Sequence, residues 1–321
     1  MAPVSSPAVY QIPLVTRFRG VTVRRGMVWR GPAGWAEFSP FEDYAPAECV
    51  PWLRAAEEAA NRGFPRAVRQ RVPVNAIVPA VPPDRAAQLV ADSGGCRAAK
   101  VKVAEPGQSL EEELARVAAV REALGPGGQI RVDANGAWDV STAVRHLTAL
   151  NRAAGGLEYA EQPCATVPEL AEVRRRCRVP IAADESIRRA ADPFEVKRQQ
   201  AADVVVLKVQ PLGGVRACLD LAAELELPVV VSSAVETSVG LAAGVALAAA
   251  LPRLEFACGL GTGQLLAADV VRDPLVVADG VLQVRPVEVT QEALAWWGAD
   301  GEQRSRWLAR LRVVQAAAGG R

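Results

Sequence analysis

Short β-branched runs that end on a charged residue recur along this chain at nearly even intervals, and no other feature restricts its fold as much. AAKVKV carries Lys100 and Lys102, IRVDANG carries Asp133, LEYAEQP carries Glu161, PIAADES carries Asp184 and VVVLKVQP carries Lys208. Successive charges from Lys102 onward stand 31, 28, 23 and 24 residues apart. One strand, loop, helix and loop occupy about 25 to 30 residues at ordinary element lengths. Each charge therefore returns to the same rim of a parallel sheet, and Lys100 and Lys102 share one face of their strand because strand side chains alternate.

The alternation extends from about Val72 to Gly263 and predicts eight strands: Val72 to Pro79, Ala98 to Val103, Ile130 to Ala134, Leu157 to Glu161, Ile181 to Asp184, Val204 to Val209, Val229 to Ser233 and Phe256 to Leu260. Helix-start signals lie between them. Ser109 with Glu112 and Thr166 with Glu169 are spaced as capping boxes, and Asp192, Pro193 and Glu195 supply a cap, a first-turn proline and a third-position acid. A further helix is expected from Gly214 to Glu226. Eight strands and seven intervening helices predict an α/β protein with a (β/α)7β TIM-like barrel over residues 71–284.

Residues 1–70 have a different rhythm. VTVRRGMVW and GWAEFSP read as antiparallel strands, Pro46 to Asn61 as a helix ended near Gly63, and Trp35 and Glu37 as ordinary turn and surface residues. This is a small α+β unit that precedes the barrel. After Gly263, Asp279-Gly280 predicts a hairpin between PLVVA and VLQV. The tail from about 285 to 321, with Trp296, Trp297 and Trp307, predicts a terminal helix packing back on the rest.

Composition narrows the function classes. The 37 basic and 36 acidic residues leave a formal charge of +1 and are interspersed, which argues against a nucleic acid or an anionic membrane as partner. The six cysteines have no CxxC and no regular spacing, so they read as reduced core thiols in a cytosol. MAPVSSPAVY lacks the basic start and long apolar stretch of a signal peptide. Val239 to Leu251 is too short to span a bilayer and reads as a buried helix. Oligomeric state is left open.

Carboxylates gathered on one rim repel unless a cation joins them, and three hard oxygen donors, Asp133, Glu161 and Asp184, suit magnesium, with manganese as the substitute. The only histidine, His146, falls inside a predicted helix, so acid/base work passes to lysine or carboxylate. A lysine of ordinary pKa is neutral about once in 2,500 at pH 7, so a basic lysine needs that pKa depressed.

As an ordered set, KVK, VDANGAW, EQP, ADES and LKVQPLGG resemble the enolase superfamily in its muconate-lactonizing-like branch, and within it most closely the o-succinylbenzoate synthase family. GWAEFSP extends the resemblance into the first unit. The resemblance implies that Asp133, Glu161 and Asp184 hold magnesium, that Lys102 is the acid/base catalyst with Lys100 beside it, and that Lys208 is the lysine of the opposite face. It implies dehydration of a succinyl-hydroxycyclohexadiene-carboxylate in menaquinone synthesis, by removal of the proton α to a carboxylate through an ene-diolate, chemistry this superfamily performs with a lysine or histidine base and magnesium. Asn135 and Arg131 flank Asp133 as supporting or substrate-binding residues, Arg131 having an ordinary ion pair as its other reading. Ser232 and Ser233 end the seventh strand where the family binds polar substrate groups, and Gly261 and Thr262 end the eighth. Two lysines on opposite faces also suit an N-succinylamino acid racemase or a related epimerase. A non-catalytic metal- or ligand-binding barrel predicts loss of a lysine or carboxylate, and none is missing. A barrel of unrelated chemistry leaves the KxK pair unexplained.

Overall fold

The computed structural model describes residues 6–18 and 20–319. Its N-terminal layer is an antiparallel sheet, β1 (Ala8–Phe18), β2 (Val21–Arg30) and β3 (Trp35–Phe38), backed by helix α1 (Pro46–Asn61). Pro46 begins α1, where a missing N–H costs nothing, and the Gly63 N–H closes back on the Glu58 carbonyl at φ +64°, a conformation glycine adopts without strain.

The chain then runs through β4 (Arg71–Pro73) and into the barrel at β5 (Ala76–Val78), followed by α2 (Pro83–Ala91), β6 (Ala98–Lys102), α3 (Leu110–Leu124), β7 (Gln129–Asp133), α4 (Val140–Ala153), β8 (Tyr159–Glu161) and α5 (Val167–Arg176). It continues through β9 (Ile181–Ala183), α6 (Glu185–Arg188), α7 (Glu195–Arg198), β10 (Val204–Lys208), α8 (Val215–Leu225), β11 (Val229–Ser232) and α9 (Ser238–Ala250). Strands β5 to β11 form one parallel sheet in chain order. Ser109 and Thr166 cap α3 and α5 with their partner glutamates, as their spacing predicts.

Four expectations are corrected. Val72 to Pro79 is not one strand: β4 pairs antiparallel with β12 (Val281–Gln283), and only β5 joins the parallel sheet. The segment Phe256 to Leu260 is no continuous strand; it curls the sheet toward closure through single bridges from Cys258 to Val74 and from Gly259 to Ser232. A Cβ on Gly259 would sit 2.6 Å from Ser232 Oγ, so this approach requires glycine. Asp192 accepts from the Phe194 N–H without capping a long helix: only the single turn α7 follows, in which Val196 alone is buried, too little apolar stripe to sustain a helix. The Asp279-Gly280 turn forms with both residues at positive φ, but PLVVA stays irregular because VLQ takes β4 as its partner.

The tail forms α10 (Gln291–Trp297) and α11 (Gly301–Gly319). Helix α11 packs along α1, burying Trp307 edge-on against Phe38 at 6.3 Å between ring centroids. Trp307 is 2% exposed and Trp296 is 78% exposed. All six cysteines are unpaired. Among the described residues no helix is long and apolar enough to cross a membrane.

Candidate active site

Pairing register brings the sequence-predicted charges together. Lys102 is level with Asp133, and Asp133 with Glu161, on three neighbouring strands. Asp184 follows β9 directly, and Lys208 ends β10 level with Ser232. All five side chains are buried at the carboxyl ends of the strands, where successive side chains of one face point into the barrel.

Lys102 Nζ lies 2.6 Å from Asp133 and also donates to Asn135 Oδ1. Lys100 reaches up from one layer below to Glu161 at 2.8 Å and Asp133 at 3.2 Å. Lys208 lies 2.6 Å from Asp184. Asn135 holds a positive φ of 48°, which asparagine tolerates better than most residues, and its N–H donates to Asp133.

These environments separate the titrating groups. Burial works against the charge on Asp133 and Asp184, but Lys102 and Lys100 on one, and Arg188 and Lys208 on the other, hold both well below the usual carboxylate range. Glu161 is pushed up to about 7 by burial and by the Asp133 carboxylate beside it. Burial also opposes the charge on Lys100, but Glu161 and Asp133 outweigh it and hold the ammonium well above its ordinary value. Lys208 is pushed down to about 8, by burial first and then by Arg188 and Lys100 acting against Asp184.

The donor chemistry fits a divalent metal. Three carboxylates on adjacent strand ends are hard oxygen ligands, and the strain on Glu161 is of the kind a cation relieves. As the side chains stand they point to the lysines, and among the described residues no three His, Cys, Asp or Glu side chains converge as a ligand group.

Arg131 does not join the cluster. It faces the barrel interior below Asp133, paired with Glu158, donating to Asn75 Oδ1 and the Ala257 carbonyl, and stacked against Tyr159. Its other reading, an ion pair, describes what it does here. Ser232, Ser233 and Thr262 line the pocket with Lys102 and Lys208, and Ser233 and Thr262 hydroxyls bond each other; Gly261 is buried in the same short turn as Thr262. His146, on α4, packs edge-on against Trp138, away from the cluster.

Several residues at the site escaped sequence reasoning. Arg188 grips Asp184 with two nitrogens and reaches Tyr44 of the N-terminal layer. It follows ADES by two positions, but no spacing rule marks an arginine there. Phe18 and Phe41 reach over the rim from the N-terminal layer, Phe18 standing 5.4 Å from Lys102 Nζ. Glu37, expected at the surface, is 3% exposed and bonded to the barrel. The space enclosed at the site is only about 20 Å³, while a cleft of about 470 Å³, lined by Arg25, Tyr44 and Arg189, opens on the outer side of Phe41.

Residues 83–287 match the family described as enolase C-terminal domain-like, and residues 9–60 the one described as enolase N-terminal domain-like. An o-succinylbenzoate synthase of Thermobifida fusca is 64% identical over 308 residues, covering 96% of this chain and 95% of that relative. One from Mycolicibacterium smegmatis is 53% identical over 308 residues, covering 96% of this chain and 94% of that protein. Among solved structures, the muconate lactonizing enzyme from Pseudomonas putida superposes with a TM-score of 0.76 at 20% identity, covering 92% of this chain and 99% of that one. The L-Ala-D/L-Glu epimerase from Bacillus subtilis does so with a TM-score of 0.75 at 21% identity, covering 89% and 97%. At such identities these two structures speak to the fold alone.

Proposed function

The chain belongs to the enolase superfamily, and from that premise we propose that it is an o-succinylbenzoate synthase, a lyase dehydrating 2-succinyl-6-hydroxy-2,4-cyclohexadiene-1-carboxylate to o-succinylbenzoate in menaquinone synthesis. The observation that carries this reading is the buried rim itself: Lys102 and Lys208 on either side of Asp133, Glu161 and Asp184, within a chain that matches such synthases over nearly its whole length.

In this reading Lys102 takes the proton α to the substrate carboxylate and returns it to the departing hydroxyl, so that one group serves as base and then acid. Asn135 orients its amine. Lys208 faces the reacting atoms from the other side, where a positive charge lowers the barrier as negative charge develops. At about 4 Å and an effective dielectric near 20, one such pair is worth about 4 kcal/mol, or about three powers of ten in rate when realised only in the transition state. Asp133, Glu161 and Asp184 would hold Mg2+, which when bound supplies positive charge against the substrate carboxylate and makes the neighbouring proton easier to remove. Phe18 and Phe41 exclude water above the lysines. We take residues 1–70, with 285–321 packing back on them, as the cap and 71–284 as the catalytic barrel, acting on a small carboxylate in the cytosol.

The test offers the purified protein the cyclohexadiene acid and a chiral N-succinylamino acid, each with Mg2+ and with chelator. Aromatisation much faster than racemisation, abolished by chelator, is the expected result. Racemisation as the faster reaction would overturn the reading in favour of a racemase.

A further inference from the structure

Val235 holds a φ of +62°. For a β-branched residue this is a true outlier, and such conformations persist only where surrounding structure imposes them. Val235 also lies in the wall of the catalytic pocket, in the loop that joins β11 to α9.

Two buried charged residues of the N-terminal layer hold that loop from outside the barrel. Arg24, 3% exposed, donates from Nε to the Val235 carbonyl at 3.0 Å. Its remaining nitrogens are fixed by the Ser39 carbonyl and hydroxyl and by the Arg25 carbonyl, and its Cζ lies 4.7 Å from the Phe41 ring centroid. Glu37 accepts from the Thr237 hydroxyl and N–H and from the Gly240 N–H at 2.9 Å, so a carboxylate from β3 caps the first turn of α9. Tyr10 and Ser39 hydroxyls, each at 2.7 Å, aim that carboxylate. Within the loop, the Ala234 N–H is taken by Glu236 and the Val235 N–H by Ser233. The strained turn is thus pinned at its carbonyl and at its exit.

We propose that Arg24 and Glu37 are positioning residues which hold loop 233–237 as a rigid wall, so that the cap sets the shape in which the barrel receives the non-reacting part of its substrate. The proposal rests on the synthase reading for the identity of that substrate, but not for the wall. A wall that touches only non-reacting atoms binds ground state and transition state alike, so weakening it raises KM and spares kcat.

The test compares Arg24→Gln in the native chain and in a Val235→Gly background, with kinetics on the cyclohexadiene acid and amide hydrogen exchange measured without substrate. A lost charge-assisted hydrogen bond should raise KM about tenfold, leave kcat within about twofold, and speed exchange across 233–237 about tenfold while α4 is unchanged. In the glycine background, where left-handed φ carries no penalty, the same substitution should raise KM less than about threefold. Equal KM increases in the two backgrounds, a fall in kcat at constant KM, or unchanged exchange would each overturn the proposal. Should Arg24→Gln not fold, Arg24→Lys and Glu37→Gln are read in the same arms. If the native chain fails to turn over the substrate, the synthase reading falls, and the exchange measurement still decides whether the cap holds the loop.

Discussion

Lys102 and Lys208 stand on β6 and β10, and neither is the sole partner of its carboxylate: Asp133 also meets Lys100, and Asp184 also meets Arg188. Removing either lysine therefore leaves no buried carboxylate bare, and the fold should survive. Lys102→Ala should lower kcat by about two to four powers of ten, the span of general acid–base catalysis, and Lys208→Ala by about three, with unfolding midpoints near that of the native chain. Near-normal turnover in either variant would remove that lysine from the mechanism. Arg131 gives the opposite profile. It is wholly buried and paired with Glu158, so Arg131→Met should cost about 3 to 5 kcal/mol in denaturant unfolding, as broken buried pairs do. In the fraction that folds, KM should stay within about threefold, because the guanidinium is held by Glu158, Asn75 and the Ala257 carbonyl and does not line the pocket. A large KM change with intact stability would restore a substrate role. The five rim charges were legible because each ends a short strand-like run at βα spacing. Arg131 shares the face of Asp133 in the same strand, and alternation alone does not tell which layer of a barrel a long side chain fills.

At the scale of elements, local chemistry was readable where it is self-contained. The capping boxes of α3 and α5 and the proline start of α1 need only residues within the same turn. Where an element depends on a distant partner, the reading failed: β4 left the barrel for β12, some 200 residues later, and α7 stopped after one turn for want of an apolar stripe. The tail shows the same limit, for its three tryptophans look alike in sequence, yet only Trp307 is buried, between α11 and the N-terminal layer. Trp307→Ala should destabilise the protein by about 3 to 5 kcal/mol, the usual cost of emptying a buried aromatic site. Trp296→Ala, at an exposed position, should stay within about 0.5 kcal/mol. Denaturant unfolding of the two variants side by side checks the difference. Equal losses would mean that α10 packs as firmly as α11.

For the whole molecule, the alternation was enough to predict a barrel, but not how the N-terminal layer meets it. Glu37 to Thr237 and Arg24 to Val235 span 200 and 211 residues, and contacts of that range leave no local pattern. They put the rim charges under a cover of Phe18 and Phe41 and so into a site with little water to screen them. There the repulsion among Asp133, Glu161 and Asp184 becomes a property of the entire fold, because it is incurred on folding and absent from the open chain. Any cation that binds the folded site and not the unfolded chain must then raise global stability, by about 2.7 kcal/mol at a hundred times its dissociation constant. Mg2+ added to metal-free protein should accordingly raise the thermal midpoint with a saturating dependence on concentration, and chelator should reverse it. Glu161→Gln, which keeps the side-chain volume but removes the carboxylate that burial and Asp133 push up to about 7, should shrink that shift to less than about a third. An undiminished shift in the variant would place the cation elsewhere on the molecule and detach the three carboxylates from metal binding.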